Sequence, residues 1–127
     1  MAGAAQGVEV SKVITWYRGV GEDRNPTEPN WAGWLWLTTD PSHACVFGDA
    51  WEMAVSGGTR TACIDASKWS GGAFARHVRL YARACRLAAD GFGLVVVKGW
   101  EGKGVRALAL PSAIDAATRS QGAVLAG

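Results

Sequence analysis

The chain has 127 residues, 49% hydrophobic and 19% charged, with a mean hydropathy near zero. That length suits one domain around a single modest core and excludes two cores, and the composition excludes intrinsic disorder. Thirteen basic against eleven acidic residues leave a net charge of +2, which excludes a histone-like polybasic binder but not a local basic patch.

Nine of the basic residues are Arg and four are Lys, a bias toward the side chain that grips phosphates and carboxylates bidentately. Seven tryptophans and seventeen glycines are many for this length. The tryptophans read either as filling for a thin core or as a stacking or partner surface. Cys45, Cys63 and Cys85 are odd in number and show no CxxC spacing, which argues against a disulfide framework and a zinc site. Residues 1–7 lack the basic and apolar regions of a signal peptide. The longest apolar run, Trp31 to Leu37, is far short of the ~20 residues of a membrane span. The expectation is a soluble cytoplasmic protein with no membrane partner and no bound metal. A single domain over 1–127 is expected, with 1–7 and 120–127 as loose termini.

In chain order, the β-branched and aromatic run Val13 to Tyr17 predicts a strand leaving at Arg18-Gly19. Gly21 to Asn30, with its prolines and acids, predicts a long polar loop, and Trp34 to Thr39 a second strand. Asp40-Pro41 is a helix start, with Asp as N-cap and Pro at the first position; that helix carries Ala44, Val46 and Phe47 and stops at Gly48. Asp49 to Val55 reads as a second short helix closed by Gly57-Gly58, and Arg60 to Asp65 as a strand.

Ala73 to Asp90, ended by Gly91, predicts the main helix. At about 100° per residue, Phe74, Val78, Tyr81, Ala82, Cys85, Ala88 and Ala89 share one face. Arg76, Arg79, Arg83 and Arg86 form a stripe on the other side, with Leu80 and Leu87 near it and without the i+4 glutamates that would neutralise it. The stripe is either a grip for phosphates or an acidic protein surface, or the solvated side of an amphipathic helix. Leu94 to Lys98 and Val105 to Leu110 predict a final strand pair, ended by Pro111. The order β, β, α, β, α, β, β implies an α+β domain.

His43 and His77 show no pattern tying them to a nucleophile, and both read as surface or packing residues. The glycines form neither GxGxxG nor a Walker loop.

The segment Trp16-Tyr17-Arg18-Gly19, then Trp36-Leu37-Thr38-Thr39-Asp40-Pro41-Ser42-His43-Ala44 up to Phe47-Gly48, resembles small ADP-ribosyltransferase-like domains. Asp90 to Val97 and the strand Val105 to Leu110 before Pro111-Ser112 resemble the C-terminal half of that family, so the similarity touches most of residues 13 to 114. It implies two small mixed sheets with flanking helices in one compact domain. It also implies NAD as a substrate, with ADP-ribose transferred to a macromolecular target, protein rather than nucleic acid.

By the same resemblance, Arg18 contacts a phosphate or braces the first strand. Gly19 lets the backbone approach the nicotinamide amide, Thr38 and Thr39 support the pocket, and Trp36 or Phe47 stacks on the ring. The family carries a glutamate at the entry to a late strand, where it stabilises the oxocarbenium-like sugar. Here that entry, Lys103-Gly104-Val105-Arg106, holds no acid. Glu101 a few residues earlier is the candidate catalytic acid, with Glu22 and Glu28 as less supported substitutes. The size suits a phage or bacterial effector, such as a defence inhibitor or a toxin. The alternative is a non-catalytic binding protein or inhibitor on the same scaffold, acting through Arg76, Arg79, Arg83 and Arg86 and exposed tryptophans.

Overall fold

A computed structural model describes residues 14–101 and 104–120. The expected tail 1–7, residues 121–127, Val13 and Lys103 lie outside them. Ser120, expected in the loose C-terminus, is buried, and its amide donates to the Ala50 carbonyl at 2.8 Å.

The elements are β1 (Trp16–Val20), β2 (Leu35–Thr38), α1 (Pro41–Ala44) running into a 3-10 turn over Cys45–Phe47, β3 (Asp49–Val55), β4 (Arg60–Asp65), α2 (Ala73–Ala89), β5 (Phe92–Lys98), β6 (Arg106–Ala109), a 3-10 turn over Pro111–Ala113 and β7 (Ile114–Arg119). The α+β class is as expected. The two sheets are not: the strands form one seven-stranded mixed sheet in the order β4-β5-β6-β2-β1-β3-β7. It stays continuous because β2 pairs with both β1 and β6. β4 and β5 are parallel and joined across α2, the crossover that parallel neighbours require; the other pairings are antiparallel. A second cavity is lined at once by Thr61 of β4, Leu94 of β5, Met53 of β3 and Ala116 of β7. The single sheet therefore curves enough for residues of these strands to line one cavity on its concave face.

Alternation along the central strands fills both faces. Val95, Val97 and Leu108 point to the α2 side with Trp34, Ile64, Leu80 and Ala84. Leu94, Ala107, Ala109, Leu35 and Leu37 point to the concave side with Trp16 and Met53. Of the tryptophans, Trp16 and Trp34 are core and Trp31 is exposed; the other four are half-buried.

Three expectations need correction. Asp49–Val55 is a strand, not a helix. Ala, Glu and Met favour helix locally, but Trp51, Met53 and Val55 alternate onto the concave core while the backbone pairs with β1 and β7, and tertiary pairing wins. β7 had no assigned element; its small and polar residues carry little β signal, and its register with β3 places it. The buried face of α2 is also rotated from the expected one. Leu80, Tyr81 and Ala84 are buried, with Leu87 and Ala88 packed beside them, whereas Phe74 is 79% exposed and Val78, Ala82 and Cys85 are exposed. The face meeting the sheet lies between the apolar stripe and the arginine stripe. Aromatic rings flanking the helix receive the arginine side: Arg79 sits 4.2 Å from the Trp69 ring centroid and Arg76 4.7 Å from that of Trp100. Long guanidinium side chains cover indole faces while keeping their heads near water.

The termini of the helices follow their signals. Asp40 caps α1, accepting from the Ser42 amide at 2.9 Å and the Ser42 hydroxyl at 2.6 Å. Gly91, at φ +96°, closes α2 and donates to the Ala88 carbonyl. No helix among the described residues is long and apolar enough to cross a membrane.

Candidate functional site

Where β1, β2 and β6 lie side by side, their ends meet α1, one face of α2 and the β5–β6 connection around a cavity of about 490 Å³. That volume is in the range of small-molecule sites. β1 contributes Tyr17, Arg18 and Gly19, β2 contributes Trp36 and Thr38, and β6 contributes Arg106. His43, Ala44 and Phe47 form one wall, His77 another, and Trp100 with Glu101 stands at the β5–β6 connection.

The β1 strand can lie this close to α1 only because residue 19 is glycine. A Cβ there would collide with the Ala44 carbonyl oxygen and stand 2.9 Å from Phe47 Cβ. The close approach that Gly19 permits is thus to the protein's own helix, a structural role distinct from the ligand contact that the resemblance implied.

Trp36 is fixed at its polar end. Its indole N–H donates to the Tyr81 hydroxyl at 2.8 Å, and the same hydroxyl accepts from the Asn30 side-chain amide at 3.1 Å. Its ring stacks on Trp100 at 5.7 Å and carries the Arg106 guanidinium 4.7 Å from its centroid. Tyr81 is nearly fully buried, so replacing it with Phe strands both donors. Tyr81→Phe is expected to lower stability by about 1–3 kcal/mol in urea denaturation, with little change in packing volume.

The electrostatics of the cavity are cationic. Arg18 donates to the carbonyls of Trp36 at 3.4 Å and Glu28 at 3.0 Å, and Arg106 donates to the Glu101 carbonyl. Burial holds both guanidiniums below the ordinary arginine range; nearby Arg24 adds to this at Arg18, while Glu28 opposes it. Both remain charged at neutral pH. Among the described residues neither makes an ion pair, and the Nε of each is buried without a hydrogen-bond partner. Among the described residues the one acid lining the cavity is Glu101, whose side chain is 82% exposed and 4.0 Å from Arg76. Two desolvated, unpaired guanidiniums with aromatic walls suit a ligand that combines anionic groups with flat rings.

No family model, curated protein or solved structure matches the chain.

Of the residues singled out in the sequence, Arg18, Gly19, Trp36, Thr38, Phe47 and Glu101 line this one cavity. Thr39 does not. Its hydroxyl accepts from the Val105 amide at 2.9 Å and its own amide donates to the Val105 carbonyl at 3.1 Å, so it ties the exit of β2 to the entry of β6. Thr38 is buried and accepts from the Asp40 amide. Glu22 and Glu28 are not among the lining residues, and Glu28 acts on Arg18 through its carbonyl and its charge. The arginine stripe divides. Arg76 turns toward Trp100 and the Gly99 carbonyl beside the cavity mouth, Arg79 and Arg83 lie over Trp69, and Arg86 is exposed in the last turn.

The cavity also takes Asn30, Trp100 and Arg106, which carry no site role in the sequence, and His43 and His77, which read there as surface or packing residues. His43 sits edge-on to Phe47, four residues along, and His77 edge-on to Trp100, a pairing that is not local in sequence. Arg106 did leave a signal, as the lone charge in the apolar run Val105 to Leu110.

Proposed function

We propose that this chain is an ADP-ribosyltransferase-like domain whose cavity binds NAD and transfers ADP-ribose to a macromolecular acceptor, protein rather than nucleic acid. The observation that carries this reading is convergence: Arg18, Trp36, Thr38, Phe47 and Glu101, spread over 84 positions of sequence, line one cavity. In this reading Arg18 holds the diphosphate, the aromatic wall of Trp36 and Phe47 takes a flat ring, and the Glu101 carboxylate at the mouth stabilises the positive charge that develops on the sugar. The ribose–nicotinamide bond breaks with its electron pair leaving on nicotinamide. An acceptor nucleophile bonds to the same carbon and gives up a proton to solvent.

The test is calorimetric titration with NAD, followed by an assay for nicotinamide release. Binding in the micromolar range with slow release is expected. Glu101→Gln is expected to cut release by about a hundredfold or more while NAD affinity holds, because the carboxylate is exposed and acts on the transition state. Full activity in that variant removes Glu101 from the chemistry.

A second reading, a non-catalytic binding protein, is favoured by Arg79 and Arg83 lying over Trp69 on the face of α2 away from the cavity and by the absence of an acid at the β6 entry. No binding at millimolar NAD sinks the transferase reading and passes the function to that surface.

A further inference from the structure

Resting on the reading of the cavity as a nucleotide site, we propose that Arg106 is a second diphosphate-binding side chain beside Arg18, and that the site therefore prefers free ADP-ribose to NAD, so that ADP-ribose, formed when water in place of the acceptor bonds to the sugar carbon as nicotinamide leaves, holds the enzyme in check.

The two arginines are placed by the sheet. Arg106 opens β6 directly across from Thr38 of β2, and Thr38 is in turn across from Tyr17 of β1; Arg18, the next residue, alternates to the other face of its strand, and it is the shared cavity that both guanidiniums line. Their backbones are thus about two inter-strand spacings, ~10 Å, apart, and both side chains reach Trp36 on the strand between. Arg18 donates to its carbonyl and Arg106 lies over its ring. A diphosphate entering beside Trp36 meets a guanidinium from each side. Each has a buried Nε without a partner among the described residues, and each is otherwise bonded to neutral carbonyls.

Charge decides between the two ligands. NAD and ADP-ribose carry the same diphosphate, but NAD adds a cationic pyridinium where ADP-ribose has a hydroxyl. The resemblance leads one to expect an acid at the β6 entry, where it would favour that cation; this chain has Arg106, and the exposed Glu101 is drawn toward Arg76. Cationic side chains close to a cationic ring oppose its binding, and their partial burial limits screening by salt.

Calorimetry with ADP-ribose, NAD and adenosine, on the wild-type chain and on Arg106→Gln and Arg106→Lys, tests this. ADP-ribose is expected to bind about tenfold more tightly than NAD, adenosine to bind far more weakly than either, and inorganic pyrophosphate to compete with ADP-ribose. Arg106→Gln is expected to weaken ADP-ribose by about tenfold or more and to erase the preference, with Arg106→Lys intermediate. Should the glutamine variant fail to fold, pyrophosphate competition on the wild-type chain decides.

Equal affinity for ADP-ribose and NAD, no competition by pyrophosphate, or an unchanged affinity in a folded Arg106→Gln overturns the proposal. The two readings fail separately. Arg106-dependent ADP-ribose binding without any nicotinamide release sinks the transferase, leaves Arg106 and the ADP-ribose preference standing, and overturns the feedback on catalysis. Nicotinamide release without an ADP-ribose preference does the reverse, and binding of neither ligand overturns both.

Discussion

Gly19→Ala is expected to unfold the wall of the cavity and to lower the stability of the whole domain. The added methyl has nowhere to go: it meets the Ala44 carbonyl oxygen and Phe47 Cβ, and the first of these is backbone that no rotamer change can move. Either β1 shifts against β3, with which Gly19 is in register at Ala50, or α1 lifts away. Forcing atoms into a close-packed contact costs about 1–3 kcal/mol where side chains can yield, and more against backbone, so a loss of about 3 kcal/mol and a drop of about 10 °C in melting temperature are expected. Ligand affinity should fall with it, because Ala44, His43 and Phe47 leave together. A variant that melts like the wild type would show that α1 is not seated on β1.

Leu80→Ala and Phe74→Ala are expected to differ sharply although both lie on α2. Leu80 is fully buried against Trp34, Val95 and Leu108, and its truncation leaves a cavity worth about 2–5 kcal/mol. Phe74 is 79% exposed, so its truncation should stay within about 0.5 kcal/mol of neutral, and alanine is the better helix former. Urea denaturation of both variants checks this. If Phe74→Ala proves the costlier, α2 is rotated by about a quarter turn from the orientation described.

That pair also shows what the sequence could disclose. The existence and ends of α2 were legible from Gly91 and the apolar period, and α1 from Asp40-Pro41. The face of α2 was not, because helical periodicity weighs Phe74 and Val78 by hydrophobicity alone and is blind to Trp69 and Trp100, which make the arginine side of the helix a packing surface. β3 was misread because Ala, Glu and Met prefer helix locally and its partners, β1 and β7, lie far away in sequence. β7 gave almost no signal of its own.

Part of the cavity was legible through the resemblance, which singles out Arg18 and Gly19, found within β1, and Thr38, found at the end of β2. His43, His77 and Trp100 escaped because only the assembled sheet brings three distant segments to one place. Arg106 is obscured because the resemblance leads one to expect an acid at that entry.

The pairing of β3 has a consequence for synthesis. β1 covers one edge of β3, but the other edge waits for β7, about 60 residues further along the chain. On a ribosome adding ~5–20 residues per second, that leaves an unpaired edge for several seconds on the nascent chain, with Trp51, Met53 and Val55 not yet enclosed. Such an edge is a template for pairing between chains. Release from translation before residue 114 should therefore yield an aggregating product rather than a smaller folded one.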